Sequence, residues 1–225
     1  MTYQKRLSAS KRTPLERKGT KYIAVQSPGP HKKEESMSLV VVIRDILKLS
    51  ETTREAKKIL NAKKVMVDGI PRKDHRFPIG FLDEISFTGI EDRYIGVYNK
   101  VGKLEFKKIT KTLPKPMMIT GKKILQKGKI QVNLFKGMNI LLDKKAEYKV
   151  GDSLIIEKNK VIKHLKFQKG ANVFLIAGKH TGQNGVIENI KEQKDWTQPT
   201  MITVKTKAGV YDTPKEYAYV TDGEL

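Results

Sequence analysis

Between Thr52 and Gly69 the sequence TTREAKKILNAKKVMVDG predicts a short helix followed at once by a β-hairpin. Thr52 stands three residues before Glu55, which is the spacing of a capping box, so the helix is expected to begin at Thr53. Asp68-Gly69 is a strong hairpin signal, because a type I′ turn needs positive φ at both of its central residues. The chain is therefore expected to fold around a small domain in which a basic helix precedes a hairpin.

The predicted helix separates its cations from its apolar residues. At 100° per residue, Ala56, Ile59 and Leu60 fall on one face, which can pack on a core. The cations fall on the opposite face and continue through the turn and beyond the hairpin; an ordinary solvated face is the alternative interpretation. The central candidates for RNA phosphate contacts are Arg54, Lys57, Lys58, Lys63 and Lys64, and the supporting candidates are Arg72, Lys73 and Arg76.

This stretch resembles the RNA-binding fold shared by the bacterial ribosomal protein S-four and several RNA-modifying enzymes. In that fold a Ser/Thr-Arg helix precedes a Val-x-Val-Asn/Asp-Gly hairpin, which here reads Val65-Met66-Val67-Asp68-Gly69. The resemblance implies a small RNA-binding domain, expected over residues 37–90. A further helix is expected within it from Leu39 to Leu49, capped by Ser38, although the valine run in this segment also fits a strand.

The charge balance points to a polyanionic partner. The chain has 45 Lys and Arg against 24 Asp and Glu, a formal net charge of +21, which favours nucleic acid or an anionic membrane surface. Membrane binding is disfavoured, because no lipidation motif is found and the longest apolar run, Leu39 to Ile43, cannot span a bilayer. No signal peptide is recognised, and the lack of cysteine excludes disulfides and Cys-ligated zinc. A cytoplasmic nucleic-acid-binding protein is expected.

Residues 1–36 form a basic arm with few apolar residues. Segments rich in Pro, Gly and Ser argue against an independent core, so the arm is expected to be ordered by phosphate contacts with RNA. KRLSASKRTPL and SPGPHKKEES resemble the opening of the archaeal and eukaryotic small-subunit ribosomal proteins of the S-four-e family, where Gly-Pro-His-Lys closes the N-terminal extension. The arm's candidate RNA contacts are Lys5, Arg6, Lys11, Arg12, Arg17, Lys18, Lys21, His31, Lys32 and Lys33.

From Tyr94 to Phe167 the apolar pattern changes to period two. Short strand candidates, punctuated by turn residues, indicate a small barrel or sandwich. As in the S-four-e family, residues 91–168 are expected to form a middle β-domain. The strands are predicted at 94–98, 104–106, 130–134 and 153–156.

Residues 169–225 resemble a KOW domain, a small SH3-like barrel whose loop approaches RNA or protein. A strand at Val173–Ile176 enters a glycine-rich loop, and a second strand begins near Gly185. The glycines allow positive φ and a bare backbone, and Lys179 supplies charge for RNA. A nucleotide-binding loop is excluded, because His180 follows Lys179 where that motif needs Ser or Thr. Later strands are expected at 201–206 and 210–213.

The sequence favours binding over catalysis. The four histidines lie in separate segments without metal-ligand spacing, so no metal, cofactor or small-molecule substrate is expected. An RNA-modifying enzyme and a KOW-type transcription or antitermination factor are the alternatives; the first would need a catalytic domain for which the chain has no room. Three resemblances in the same order identify the chain as a member of the S-four-e family, of archaeal type. The resemblance implies an α+β multidomain constituent of the small ribosomal subunit, with ribosomal RNA and neighbouring ribosomal proteins as partners.

Overall fold

The structure is a computed structural model that describes residues 3–110, 115–125, 129–142, 148–157, 160–191 and 199–223. It is mostly β-structure with few helices. The chain divides into two compact units, Met1–Thr112 and Leu113–Leu225. Each unit has its own antiparallel sheets, so the two are described separately.

The first unit is built on a five-stranded antiparallel sheet in the order β5-β4-β7-β8-β9. Two shorter ribbons join it: β1 pairs with β2, and β3 pairs with β6. The strands of this unit are β1 (Tyr3–Lys5), β2 (Tyr22–Ala24), β3 (Met37–Ser38), β4 (Val65–Val67), β5 (Ile70–Pro71), β6 (Pro78–Ile79), β7 (Glu84–Phe87), β8 (Ile90–Tyr98) and β9 (Leu104–Ile109).

Besides short 3₁₀ turns at Arg6–Ser8 and Lys33–Glu35, the described residues of the first unit form two longer helical segments. The first, α1 (Leu39–Val41), continues as a π-helical segment over Val42–Ile46, so the expected helix forms but ends three residues early. The Ser38 hydroxyl does not cap it and instead donates to the Ala24 carbonyl at 3.2 Å. Five consecutive residues, from Leu39 to Ile43, are buried, because this apolar run is covered on all sides. The second helix is α2 (Thr53–Asn61).

The domain boundary expected between residues 90 and 91 needs correction. β8 begins at Ile90 and pairs with β7, and β9 pairs with β8 from Arg93↔Ile109 to Tyr98↔Leu104. The strands expected to open the middle domain therefore complete the sheet of the helix–hairpin domain. The physical reason is that the two-stranded hairpin needs further strands to bury one face of a sheet.

The second unit contains two five-stranded sheets, ordered β12-β11-β10-β13-β14 and β18-β17-β16-β15-β19. The strands at 130–134, 153–157, 201–206 and 209–214 confirm four predictions, whereas β10, β12, β14 and β19 were not predicted. The strands are β10 (Pro116–Ile124), β11 (Ile130–Leu134), β12 (Asn139–Leu142), β13 (Ser153–Glu157), β14 (Lys160–Leu165), β15 (Asn172–Leu175), β16 (Asn184–Ile190), β17 (Met201–Thr206), β18 (Gly209–Pro214) and β19 (Ala218–Val220).

Each sheet of the second unit encloses an apolar core. Ile119, Val132 and Leu154 are among the buried residues of the first core, and Leu175, Ile202 and Val204 are among those of the second. The side chain of Tyr219 links the two sheets, because its hydroxyl donates to the Pro116 carbonyl at 2.6 Å and accepts from the Met118 amide at 3.1 Å.

Within the described part of the chain, no helix has the length and apolar character needed to cross a membrane.

Candidate nucleic-acid interface

The basic helix α2 begins where the sequence predicts. The Thr52 hydroxyl accepts a hydrogen bond from the Glu55 amide at 3.2 Å, and the Glu55 carboxylate accepts from the Glu51 and Thr52 amides at 3.0 and 3.4 Å. These bonds close a capping box and satisfy backbone donors of the first turn. They also lower the pKa of Glu55, chiefly through the Glu51 amide. The predicted start at Thr53 is confirmed.

The same helix divides its faces as predicted. Ala56 and Leu60 are fully buried and Ile59 is partly buried, which anchors the helix on the first unit's core. The opposite face displays its cations to solvent: Arg54 and Lys58 are exposed and Lys57 is half-buried. Lys63 and Lys64 extend the exposed group beyond the helix. These five residues, Arg54, Lys57, Lys58, Lys63 and Lys64, are called the α2 surface below.

The hairpin after the helix has the predicted turn. Asp68 has φ +50° and Gly69 has φ +75°, so both central residues adopt the left-handed conformation of a type I′ turn. The Asp68 carboxylate also accepts from the Glu84 amide at 3.0 Å, which ties the turn to β7. The turn therefore fixes the segment beyond the hairpin relative to the helix.

The supporting cations beyond the hairpin lie in different environments. Lys73 is exposed, whereas the Arg72 guanidinium lies 4.4 Å from the centroid of the Phe77 ring. The Arg76 guanidinium donates to the Val25 carbonyl at 3.0 Å, so it holds the arm as well as adding charge.

The pKa of His75 depends on charges of its own segment and of α2. Partial burial lowers the pKa of His75, and the cations of Lys57 and Arg76 lower it further, against the opposing effect of Asp74. Lys57 on α2 thus contributes to the electrostatic environment of the segment around residues 72–76.

The arm is folded against the first unit, and Arg6 is part of the packing. Its guanidinium donates to the Glu16 carbonyl at 3.1 Å and the Thr20 hydroxyl at 2.9 Å, and lies 3.6 Å from the Asp45 carboxylate. Arg6 is only 8% exposed and helps to shape the arm, and its predicted contact with RNA stays a prediction.

Two further arm arginines also make internal contacts. Arg12 lies 3.3 Å from the Glu35 carboxylate and 5.3 Å from the Tyr98 ring centroid. Arg17 donates to the carbonyls of Leu7 and Ala9 at 2.9 and 3.3 Å. Planar guanidinium groups make several directed bonds at once, which suits them to this structural role.

His31 closes the arm onto the domain. Its Nε2 atom lies 2.8 Å from Asp83 Oδ2, and both side chains are 2% exposed. The same carboxylate oxygen accepts from the Gly80 amide at 2.7 Å. A side chain at Gly80 could not coexist with this arrangement, because a Cβ there would lie 2.7 Å from the His31 ring. His31 and Asp83 therefore form an internal clamp, called the His31–Asp83 clamp below, and the predicted contact of His31 with RNA stays a prediction.

All six lysines of the predicted set in the arm are exposed. Among the arginines, Arg17 is exposed, Arg12 is half-buried and Arg6 is buried. The six lysines are therefore open to solvent. These lysines are Lys5, Lys11, Lys18, Lys21, Lys32 and Lys33.

The glycine-rich loop of the second unit connects β15 to β16, as predicted. Gly178 has φ +86° and Gly182 has φ +81°, and the Gly182 amide donates to the Leu175 carbonyl at 2.8 Å. Gly185 differs from the prediction: its φ is not positive, and the need for glycine comes from a Cβ clash at 2.6 Å with Val204. Lys179 is exposed at the tip of this loop.

One contact of this loop was not predicted from the sequence. The His180 ring stacks on Tyr211, with centroids 3.7 Å apart and planes inclined by 19°. The two residues are far apart in sequence, and no local pattern links them.

The described residues contain no group of three or more His, Cys, Asp or Glu side chains that could hold a metal ion. His164 lies 2.8 Å from Asp152, whose carboxylate also accepts from the Lys149 and Phe167 amides at 3.0 and 2.8 Å. These bonds fix a loop of the second unit, so this histidine–carboxylate pair has a structural role.

Known proteins match this chain along nearly its whole length. A family model described as "Ribosomal family S4e" matches residues 90–161. The small ribosomal subunit protein eS4 of Archaeoglobus fulgidus is 37% identical over 220 residues, covering 97% of this chain and 92% of that protein. The eS4 protein of Methanosphaera stadtmanae is 40% identical, covering 96% of this chain and 90% of that relative.

A solved structure agrees with these sequence comparisons. The crystal structure of the 30S ribosomal protein S4e from Thermoplasma acidophilum superposes with a TM-score of 0.69 at 31% identity, covering 85% of this chain and 97% of that one. Fold and sequence thus place the chain among the ribosomal proteins. It belongs to the S4e family, which is the S-four-e family that its arm and domain order resemble.

Proposed function

We propose that this chain is a structural constituent of the small ribosomal subunit, where it binds and stabilises small-subunit ribosomal RNA during translation in the cytoplasm. The observation that carries the proposal is identity of 37 to 40% with archaeal eS4 proteins over almost the entire chain. The proposal makes the chain a non-enzymatic component, whose partners are ribosomal RNA and neighbouring ribosomal proteins. No cofactor takes part.

The α2 surface is the proposed centre of RNA binding. Its five cations project from a helix and turn that are fixed by a capping box and a buried apolar face. Cations on a rigid element can meet several phosphates in a fixed pattern, which positions the protein on folded RNA. Lys73, Arg72 and Arg76 add supporting charge in the segment beyond the hairpin.

The arm supplies a second proposed contact surface, in which arginine and lysine have different tasks. Arg6 and His31 hold the arm in shape, and the six exposed lysines, with the partly exposed Arg12 and the exposed Arg17, face RNA. A preformed arm loses less conformational entropy on binding than a disordered one. It therefore contributes affinity in addition to charge.

The domain assignment and the KOW fold are proposals at a finer level. The exposed Lys179 on a glycine-rich loop between β15 and β16 supports a KOW-type loop that approaches RNA. We assign residues 1–36 to the arm, extend the S-four-like domain to the end of β9, and retain residues 169–225 as the SH3-like KOW barrel. The middle β-domain then begins at β10.

Sedimentation of a native cell lysate tests the proposal. The protein is followed by immunoblot through sucrose gradients, before and after a high-salt wash. Retention in the small-subunit peak after the wash is expected for an integral constituent. A position at the top of the gradient, or with RNA polymerase, would contradict the proposal and favour the transcription-factor alternative.

A further inference from the structure

The ribbon of β1 and β2 has one buried face and one exposed face. The register pairs Tyr3 with Ala24, Gln4 with Ile23, and Lys5 with Tyr22. Residues that face each other across an antiparallel pair share a side, and so do alternate residues along a strand. Tyr3, Lys5 and Tyr22 therefore lie on one face, opposite Ile23, which is 4% exposed and packs inward.

Both tyrosines on the outer face are open to solvent. Tyr3 is 54% exposed and Tyr22 is 53% exposed, although a tyrosine ring offers a large apolar area that folding normally buries. The register makes the two residues diagonal neighbours, a relation that brings side chains to about 7–8 Å of each other. The face therefore offers two neighbouring aromatic surfaces without covering either.

Lysine ammonium groups flank these rings. Lys5 is exposed on the same face, directly opposite Tyr22. The Lys21 ammonium lies 5.5 Å from the centroid of the Tyr22 ring, within the range of a cation–π contact. The face, called the tyrosine ribbon below, thus combines two aromatic surfaces with two positive charges.

This combination matches the chemistry of unpaired nucleotides. Bases outside a duplex expose their planar faces and stack on aromatic side chains, while their phosphates pair with cations. A base within a duplex has no free face for such stacking. An acidic protein segment could form ion pairs with the lysines, but its carboxylates would not stack on the two tyrosine rings.

We infer that the tyrosine ribbon binds unpaired RNA bases, with the rings of Tyr3 and Tyr22 stacking on them and Lys5 and Lys21 contacting the adjacent phosphates. The inference rests on the proposed binding of ribosomal RNA and adds base stacking to its phosphate contacts. It makes the arm selective for single-stranded segments. The α2 surface reads only the charge and shape of the RNA backbone.

Equilibrium binding of the full chain to two labelled RNAs tests the inference. One probe is a 12-nucleotide oligoadenylate and the other is an RNA duplex of 12 base pairs, both at fixed moderate salt. The double variant Tyr3→Leu/Tyr22→Leu is expected to lose about tenfold or more of its affinity for the oligoadenylate. Its affinity for the duplex is expected to stay within about twofold, because no phosphate ligand is removed.

The matched control is Tyr3→Phe/Tyr22→Phe, which keeps both rings and should bind both probes as the unmodified chain does. Because both positions are more than half exposed, circular dichroism should be the same for all variants. The inference is overturned if the leucine variant keeps its oligoadenylate affinity, or loses affinity for both probes equally. Binding of the unmodified chain to the duplex but not to the oligoadenylate also overturns it. Failure to bind either probe would instead overturn the proposed function.

Discussion

The arm and helix α2 are both strongly basic, but the structure uses their cations in opposite ways. The arginines of the arm make internal contacts: buried Arg6 donates to a backbone carbonyl and half-buried Arg12 meets a carboxylate, while Arg17 donates to a backbone carbonyl from an exposed position. The cations of α2 point outward from a helix whose other face is buried. Formal charge in a sequence therefore does not measure the charge that a protein offers to a partner. The geometry of the guanidinium group decides part of the difference.

The largest loss of RNA affinity is expected when the outward-facing cations of the α2 surface are changed. Replacing all five residues of the α2 surface by Glu should weaken binding to small-subunit ribosomal RNA by roughly a thousandfold, because phosphate attraction becomes repulsion. The slope of log affinity against log salt should also fall by roughly four, since about five phosphate contacts are lost. Titration of the full chain with the RNA at several salt concentrations measures both quantities.

A matched control distinguishes the effect of the α2 surface on RNA affinity from the effect of net charge. It carries five Lys→Glu changes at exposed positions that are not part of the α2 surface, namely Lys100, Lys103, Lys107, Lys123 and Lys160. We expect this variant to lose much less affinity. Equal loss in both variants would mean that net charge alone, rather than the α2 surface, governs binding.

The inward-facing set is tested by breaking the His31–Asp83 clamp. His31→Ala removes a hydrogen bond to a buried carboxylate, which should cost about 2–3 kcal/mol of the free energy of unfolding. Urea denaturation gives this value, with Lys32→Ala at the neighbouring exposed position as the control substitution. Unchanged stability after His31→Ala would show that the clamp does not hold the arm.

Exchange of arginine for lysine sharpens the comparison further. Arg6→Lys keeps the charge but loses the fork that reaches both Glu16 and Thr20, so stability should fall by about 1–2 kcal/mol. Arg54→Lys on the exposed face of α2 should leave both stability and RNA affinity nearly unchanged. Thermal melts and RNA titrations of the two variants check the expectation; identical behaviour would contradict the division of roles.

The smallest expected effect concerns the pKa of His75. Burial, Lys57 and Arg76 lower this pKa, so the folded state holds the imidazole proton less tightly than the unfolded chain does. The associated stability is therefore present above the unfolded pKa of about 6.5 and declines as pH falls below it. Lys57→Gln should move the His75 pKa upward, whereas Arg54→Gln should leave it in place. Proton NMR titration of the His75 ring measures its pKa in the two variants. An unchanged midpoint in Lys57→Gln would contradict an electrostatic influence of Lys57 on the 72–76 segment.

Local signals in the sequence predicted local structure well. Thr52 and Glu55 form the capping box, and Asp68-Gly69 forms the type I′ turn, because each depends only on neighbouring residues. The partition of α2 into a buried and a charged face followed from helical geometry. Membership in the S4e family followed from the order of motifs along the chain.

Features that depend on distant pairing were missed. β8 joins β7 in the first unit, but its sequence does not specify the strand with which it pairs. β10 was missed because a register shift between Ile119 and Gly121 interrupts its alternation. The inward roles of Arg6 and His31 depend on Asp45 and Asp83, which lie far along the chain. Tyr3 and Tyr22 were not predicted as binding residues, because the candidate RNA contacts of the arm were chosen by their positive charge.

The His31–Asp83 clamp also determines how early the arm can pack during synthesis of the chain. Its two partners are separated by 52 residues, so the arm cannot close until the later one has been synthesised. At elongation rates of about 5–20 residues per second, this delay is on the order of 3–10 s. The arm is therefore synthesised well before it can pack against its unit. A translational pause inside that interval prolongs the time during which the nine basic residues of an unpacked arm stand beside the RNA of the synthesising ribosome.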